Sequence, residues 1–281
     1  YYIEMIEQAV RYQTKGDDWV KRVAIGGGLL GIATFFSFLL LPIAALFPVY
    51  GYLLEVVRAS LRGETETPPE WGDYDFADLS VNGLKAFGIL FVYGFAVSLI
   101  GWVPSTMLTV IGGALDLGFV ALLGTLLGFV LYLVGVLTVA VIVPVALSNF
   151  VVEEQLSAGF DIDVLRNVIP EMAMLRAAGL GIVIYLLATV VSSVISVFII
   201  TILLVPFILF VGISGMALVW GQGFAEAYET VYGELPTIPD GPLDDSGAGV
   251  SGTPATAGGD DTGADTVAED GTDADDERWE N

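Results

Sequence analysis

Four long blocks of the chain contain no charged side chain, and they limit its possible folds more than any other feature. The blocks are 23–54, 86–115, 117–152 and 177–225. A helix needs about 20 consecutive apolar residues to cross the hydrocarbon core of a bilayer, and every block is longer than that. The sequence therefore predicts an all-α fold, a polytopic bundle of transmembrane helices in the cell membrane.

Two helical hairpins follow from the block lengths. Block 177–225 is too long for a single crossing helix, so it is predicted to cross twice with a turn near 192–201. The blocks on either side of Asp116 are joined by the stretch GWVPSTMLTVIGGALDLG, which has the Pro, Ser and Gly of a loop. A second hairpin is therefore predicted, with helices at 84–102 and 117–147.

The first block, 23–54, fits one long crossing or two short ones, and the lysines and arginines favour two. These residues collect on the cytoplasmic side of membranes, and an even number of passes puts all of them on one side. The prediction is six passes as three hairpins, the first broken at Pro42, with both termini cytoplasmic. Four passes plus a re-entrant first hairpin is the alternative. The basic residues are Arg11, Lys15, Lys21, Arg22, Arg58, Arg62, Lys85, Arg166, Arg176 and Arg278.

Short similar strings suggest that the hairpins form a threefold repeat. A Pro follows an aliphatic triplet in each of three segments, and a Gly–Asp connector precedes each hairpin. An Asp at such a place can cap a helix, so each hairpin is predicted to follow a cytoplasmic helix that begins there. The Pro-containing segments are 39–57, 141–155 and 203–224, and the connectors are GDDWVKR (16–22), WGDYDFADL (71–79) and GFDIDVLR (159–166).

The connectors have an amphipathic pattern at two places. Apolar residues recur there at the spacing of one helical face. Such helices either lie in the membrane interface or pack under the bundle, and the pattern leaves both open. The residues are Ile3, Ile6 and Val10 near the start, and Leu165, Val168, Ile169 and Met172 in the third connector.

The run Gly26–Gly28 is interpreted as a packing surface. A phosphate-binding loop needs a following Lys and Ser or Thr, or a strand before it, and this run lies inside an apolar block. Small residues in membrane helices let neighbouring backbones approach closely, and Gly27 and Gly31 form a G-x-x-x-G pair. We therefore expect the first helix to contact another helix through these glycines.

Several strings together resemble one family of membrane proteins. They are AVRYQTKGDDWVKRVAIGGGLLG, VYGYLLEVVRASLRGETETPPEWGDY, VNGLKAFGI and GQGFAEAY. As a set they are similar to the archaeal, largely haloarchaeal, family known as domain of unknown function 4013, over about residues 5 to 232. The resemblance implies a multi-pass membrane protein of salt-adapted archaea, and it implies no activity, substrate or site residue.

The residue types present argue against catalysis. The chain has no Cys and no His, which removes thiol nucleophiles, imidazole catalysis and Cys/His zinc sites. The remaining candidates are groups of carboxylates, and most of them stand at predicted helix ends. We therefore expect no enzymatic activity, no catalytic or metal-binding residue and no cofactor. The carboxylates are Asp73, Asp75 and Asp78; Asp161 and Asp163; and Glu153 and Glu154.

Transport is the alternative function. Ionisable residues inside the membrane usually mark ion or proton pathways, and only Asp116 and Glu55 lie close to the predicted spans. A proton-coupled pump is therefore not expected, whereas a small solute or a lipid is compatible with the sequence. Pro-broken helices and a polar cavity would favour transport. The residues concerned are Pro42, Pro48, Pro144 and Pro206, with Ser37, Asn149, Ser192, Ser193, Ser196 and Thr201.

The favoured prediction is a non-enzymatic membrane scaffold or accessory subunit. Residues 1–235 would form the membrane domain and 236–281 a disordered acidic tail, because 13 of the 33 acidic residues follow Pro236. A protein partner could bind the cytoplasmic face or the tail, where Trp279 offers an apolar contact. The negative charge argues against nucleic acid as a partner, and the oligomeric state is left open.

Overall fold

The computed structural model describes residues 2–35, 44–196, 199–239, 241 and 243, and every regular element among them is helical. Short 3₁₀ turns occur at Tyr12–Thr14, Trp71–Asp73, Leu156–Phe160 and Ile199–Leu204. The described α-helices are α1 (Tyr2–Arg11), α2 (Trp19–Phe35), α3 (Leu46–Leu61), α4 (Phe76–Ala114), α5 (Gly118–Glu153), α6 (Ile162–Val168), α7 (Met172–Ile195) and α8 (Val205–Tyr232).

Four helices have the length and apolar composition to cross a membrane. They are α4, α5, α7 and the helical segment Ile202–Tyr232, which includes α8. Helices α2 and α3 have 17 and 16 described residues, fewer than any of these four. The predicted break at Pro42 and the nearby Ser37 lie outside the described residues.

The last predicted turn is confirmed, and the predicted loop in the second hairpin is wrong. Helix α7 ends at Ile195, inside the expected turn at 192–201, and α8 begins at Val205, just after it, while residues 197 and 198 lie outside the described part. In contrast, α4 continues through Pro104 to Ala114, so most of the stretch predicted as a loop is helix. The turn is confined to 115–117, where Asp116 has a positive φ of 55°. The physical reason is that the small residues of this stretch pack against α5.

The Gly–Asp connectors do start helices, but only one of those helices is a separate connector. Helices α2 and α4 begin within the first two motifs and are themselves apolar helices rather than separate connectors. Among the described residues, only α6, which begins within the third motif, is a short separate helix. Its apolar residues pack under the bundle, with Val168 fully buried and Leu165 and Ile169 against the core. Met172 instead begins α7 and is exposed.

The interpretation of Gly26 and Gly27 as a packing surface is confirmed. A Cβ atom added at Gly26 would lie 2.2 Å from the Phe210 ring of α8. One added at Gly27 would lie 2.7 Å from the Cα atom of Phe207. Gly31 makes only ordinary contact with Pro206, and Gly28 faces open space. The absence of two side chains therefore determines how closely α2 approaches α8.

Helices α3 and α4 make an even closer contact through a reciprocal pair of glycines. A Cβ atom at Gly51 would lie 2.0 Å from the carbonyl oxygen of Leu79, and one at Gly83 would lie 1.7 Å from that of Phe47. Any side chain at either position would separate the two backbones. The pairing is antiparallel, so the end of α3 lies beside the start of α4.

The far part of the α4–α5 hairpin extends beyond the other helices. Helix α4 contacts α3 in its first turns, and the Tyr93 hydroxyl donates a hydrogen bond to the Gly159 carbonyl 2.8 Å away. Beyond Tyr93 the close neighbours of α4 glycines are on α5, where Gly101 faces Leu131 and Gly112 faces Ala121. At 1.5 Å per residue, the stretch from Tyr93 to the turn is about 32 Å long, close to the thickness of the hydrocarbon core. We call this part, 94–139, the projecting hairpin.

The first prediction compares two adjacent glycines of α2. Gly27→Ala places a methyl group against the Phe207 backbone, so we expect it to lower the free energy of unfolding by about 1–3 kcal/mol. Gly28→Ala meets no atom and favours the helix, so we expect no loss. Titration with SDS in mixed micelles, followed by circular dichroism, measures both. Equal effects of the two changes would contradict the packing assignment.

Candidate functional site

Two of the predicted carboxylates, Asp75 and Asp161, serve as helix caps. The Asp75 carboxylate accepts a hydrogen bond from the Ala77 N–H at 2.7 Å, at the start of α4. The Asp161 carboxylate accepts bonds from the Asp163 and Val164 N–H groups at 2.9 and 3.1 Å, at the start of α6. Among the described residues there is no group of three or more acidic side chains able to hold a metal. These bonds satisfy free backbone donors of the first helical turn.

The polar residues that would line a transport cavity are not brought together. Asn149 is buried near the end of α5 and donates to the Ala158 carbonyl at 2.9 Å. Ser192 is buried near the other end of the hairpin formed by α7 and α8, and the Ser196 hydroxyl donates to its carbonyl at 2.6 Å. The side chain of Thr201 lies outside the described residues. Pro48 and Pro206 stand in the first turns of their helices, and Pro144 lies within α5.

The connector ends of the helices instead hold two buried arginines, and the first is Arg22. Its Nη1 donates to the carbonyls of Gln13 and Lys15, each at 3.1 Å, and its Nη2 contacts the Glu70 carboxylate. The Trp71 indole N–H donates to the Arg22 carbonyl at 3.2 Å. Arg22 therefore holds the segment before α2 against the segment before α4.

Aromatic side chains cover the Arg22 cluster. The rings of Tyr52 and Trp71 stack with centroids 4.4 Å apart, and the Tyr52 hydroxyl donates to the Pro69 carbonyl at 3.0 Å. Burial raises the pKa of the Tyr12 and Tyr74 hydroxyls above their usual range, so both remain neutral at physiological pH. The cluster is thus a structural joint that is held by the ion pair of Arg22 with Glu70 and covered by neutral aromatic side chains.

The second buried arginine, Arg58, is 1% exposed and lies at the end of α3. Its Nη2 is 2.7 Å from a carboxylate oxygen of Glu154, the residue that ends α5 with a positive φ of 55°. The same Nη2 donates to the Pro239 carbonyl at 2.8 Å, whereas Nε and Nη1 make no hydrogen bond to described residues. Arg58 therefore joins α3, α5 and the segment that follows α8.

The described residues of that segment, 233–239, Gly241 and Leu243, bind along the ends of α3 and α4. Besides Arg58, three side chains bind its main chain: Arg62 donates to the Gly241 carbonyl at 3.0 Å, Asn82 donates to the Leu243 carbonyl at 2.9 Å, and Glu55 accepts from the Leu243 N–H at 3.0 Å. Arg62 also contacts the Pro239 carbonyl. We call Glu55, Arg58, Arg62 and Asn82 the main-chain groove.

This arrangement includes two features that the sequence does not indicate. Glu154, a candidate for catalysis, is instead the ion-pair partner of Arg58, while Glu153 is exposed at the end of α5. The predicted acidic tail includes residues 236–239, Gly241 and Leu243, yet Pro236 and Leu243 are buried. Residues 244–281, including Trp279, lie outside the described part. The Pro and Gly residues before the acidic run are the only sequence signal for this segment.

Two of the apolar cavities formed by the described residues could bear on transport or docking. One, of about 330 Å³, is lined by α2, α3, α4, α5, α7 and α8, with mostly Leu and Val around Tyr50, Tyr185 and Trp220. The other, of about 650 Å³, is an open groove along the projecting hairpin. The described residues that line the two cavities include no charged side chain. The lining of the open groove includes Gly94, Ser98, Gly101, Ser105, Thr106, Thr109, Gly124, Thr125, Gly128 and Gly135.

Comparison with known proteins places the chain in a family without an assigned activity. The model of a family described as "Protein of unknown function (DUF4013)" matches residues 34–205. No curated protein matches the chain, and no solved structure does. The comparisons therefore support the family resemblance seen in the sequence and add no site residue.

The second prediction concerns the buried ion pair. Arg58→Met leaves the Glu154 carboxylate without its cation and the Pro239 carbonyl without a donor, so we expect a loss of about 3–5 kcal/mol in unfolding free energy. The matched change Arg11→Met removes an arginine that is 72% exposed and paired with Glu7, so we expect a loss of at most about 1 kcal/mol. Titration with SDS compares the free energies of unfolding of the two variants with that of the native chain. A small effect at Arg58 would show that the buried pair does not hold the helices together.

Proposed function

We propose that this chain, which belongs to the DUF4013 family of proteins of unknown function, is a non-enzymatic membrane protein that acts as a scaffold or accessory subunit. The observation that carries this proposal is the projecting hairpin. Its side chains are large and apolar, and many are more than half exposed, such as Trp102, Val110 and Phe129. Lipid or another membrane helix must cover this surface, and no other helix of the described chain does.

The groove along the projecting hairpin supports a helix as the partner. Glycines of both helices line it, and four of its hydroxyl groups already bond to their own backbone, as Ser98 does to the Gly94 carbonyl at 2.7 Å. Thr109 does the same to the Ser105 carbonyl at 2.8 Å. Small residues whose polar atoms are already bonded allow a second helix to approach closely in lipid. The groove therefore fits a transmembrane helix of a partner protein.

The capping roles of Asp75 and Asp161 support the absence of catalysis. Each carboxylate is engaged in bonds to backbone N–H groups, which leaves it poorly placed for acid–base chemistry or metal binding. The absence of Cys and His in the sequence supports the same conclusion. The proposal therefore includes no cofactor. The archaeal and salt-adapted origin remains a prediction from composition and resemblance.

Transport of a small solute or a lipid, without proton coupling, is the second candidate. The apolar cavity of about 330 Å³ favours a lipid chain over a polar solute, because its lining offers few hydrogen-bonding groups. Ala217, which is buried on its wall, provides a way to test this candidate. Lipid flipping in proteoliposomes by the native chain, abolished by Ala217→Leu, would favour transport over the scaffold.

The proposed topology has six passes, with α2 and α3 entering the membrane as a short hairpin and both termini in the cytoplasm. The chain lacks Cys, so an introduced one reports alone. We expect Leu115→Cys, in the exposed turn of the second hairpin, to react with an impermeant thiol reagent on intact cells. Glu66→Cys and Leu235→Cys, both at exposed sites near the connectors, should react only after permeabilisation. Labelling of Glu66→Cys on intact cells would contradict the even number of passes in this proposal.

The fourth prediction tests the scaffold role through two matched glycines of α4. Gly94 lines the groove, Gly88 does not, and neither has an atom within 4 Å of an added Cβ. Gly94→Leu should block a partner helix without disturbing the fold, whereas Gly88→Leu should leave the groove open. We expect native gels of mildly solubilised membranes to show loss of a larger complex only for Gly94→Leu. Identical migration of both variants with the native chain would contradict the proposal.

A further inference from the structure

A polar pocket lies between α1 and the hairpin of α7 and α8, at the charged end of that hairpin. Arg176 directly precedes the uncharged block 177–225 in the sequence, and Glu226 directly follows it. Both side chains line this pocket, which has a volume of about 240 Å³. Charges at the two ends of an apolar block mark the boundary of the hydrocarbon core, so the pocket lies at the level of lipid headgroups. Its other lining residues are Met5, Gln8, Ala173, Ala177, Gln222 and Gly223.

The polar side chains of this pocket are available to a ligand. Within the described part of the chain, its arginine, its glutamate and its two glutamines make no hydrogen bond or ion pair through their side chains. A guanidinium group binds a phosphate through two parallel hydrogen bonds. The carboxylate and the two amides accept hydrogen bonds from hydroxyl groups, and the amides also donate. The set therefore matches a headgroup that has a phosphate and, beyond it, hydroxyl groups.

An apolar groove of about 330 Å³ follows the polar pocket along the same helices. On α7 the lining residues continue from Ala177 to Ile184 and Val191, which share one helical face, and on α8 from Gly223 to Gly212. At 1.5 Å per residue, the two glycines are about 16 Å apart, close to half the thickness of the hydrocarbon core. The groove therefore lies at the depth of a lipid chain whose headgroup is in the pocket.

The described residues that line the apolar groove include no polar side chain, and three of them are also exposed on the surface. Leu187 is 46% exposed, Val191 45% and Val10 42%, so a hydrocarbon chain can enter from the side. Helix α1 is fixed in place between the pocket and the groove, because an added Cβ at Gly215 of α8 would lie 2.5 Å from the Ala9 carbonyl oxygen. The other groove residues are Val23, Ile184, Ala188, Phe207, Ile208, Val211 and Gly212.

We propose that the polar pocket and the apolar groove together bind one phospholipid molecule with a phosphoglycerol type of headgroup. Arg176 binds the phosphate, Glu226 and the two glutamines bind the hydroxyl groups, and one hydrocarbon chain occupies the groove. Basic pockets between transmembrane helices bind anionic headgroups in this way. The bound lipid would join α1 to α7 and α8. The site lies apart from the projecting hairpin, so the proposal does not depend on the scaffold role.

Native mass spectrometry of the full chain in mild detergent tests the headgroup, with phosphatidylglycerol as the probe and phosphatidylcholine of the same chains for comparison. Choline offers no hydrogen-bond donor, so we expect phosphatidylcholine to bind several-fold more weakly. Arg176→Gln should weaken binding of phosphatidylglycerol about 5-fold, the factor that one arginine near a membrane surface contributes. The matched change Arg166→Gln alters an exposed arginine of α6 that lines neither the pocket nor the groove, so we expect no effect.

Two adjacent leucines of α7 test the chain-binding part. Leu187 lines the groove, and Leu186, which is 54% exposed, does not. Leu187→Trp should fill the groove and weaken binding of both phospholipids, whereas Leu186→Trp should bind them as the native chain does. Equal binding of the two phospholipids, an unchanged affinity in Arg176→Gln, or equal effects of the two Trp variants would overturn the proposal. Displacement of the lipid by soluble glycerol 3-phosphate would also overturn it, because the pocket would then bind a small phosphate compound without the groove.

Discussion

The contact between the backbones of α3 and α4 is the constraint on which the polar end of the molecule depends. Gly51 and Gly83 bring each helix within van der Waals distance of a carbonyl of the other. This closeness places Glu55 and Arg58, which follow Gly51 along α3, beside the first turns of α4, where Asn82 lies. Four side chains at the ends of these two helices can then reach main-chain atoms of Pro239, Gly241 and Leu243. A methyl group at either glycine would push the helices apart and with them both walls of the groove.

Arginine suits the buried positions in a chain that otherwise keeps charge out of its apolar blocks. A guanidinium group offers several donors in a fixed plane, and it can contact a carboxylate and a carbonyl at once. Arg58 does so with Glu154 and Pro239, and Arg22 does so with Glu70 and two carbonyls. In each case the ion pair neutralises the buried charge, and the bonds to carbonyls join segments that are distant in sequence. A single residue thereby holds three parts of the chain together.

The sequence predicts the apolar helices, the capping aspartates and the Gly26–Gly27 contact, because each depends on local composition or spacing. Its prediction fails between Gly101 and Ala114, where Gly, Ser and Pro indicate a loop. In the structure these small residues form the contact with α5: an added Cβ at Gly112 would lie 2.3 Å from the Ala121 nitrogen, and one at Gly124 would lie 2.6 Å from that of Thr109. In water such residues favour turns, whereas between membrane helices they favour close packing. The main-chain groove escapes prediction for a different reason, since bonds to carbonyls leave no residue pattern in the segment that is bound.

The projecting hairpin and the main-chain groove differ in what they can recognise. The projecting hairpin presents apolar and small side chains whose hydroxyls already bond to their own helix, so it can distinguish partners only by shape. The main-chain groove uses charged and amide groups that are buried, and such groups are costly unless every bond is made. Without the segment after α8, Glu55, Arg58 and Asn82 would lose their hydrogen bonds to Pro239 and Leu243. This cost explains why the chain's own segment fills the groove.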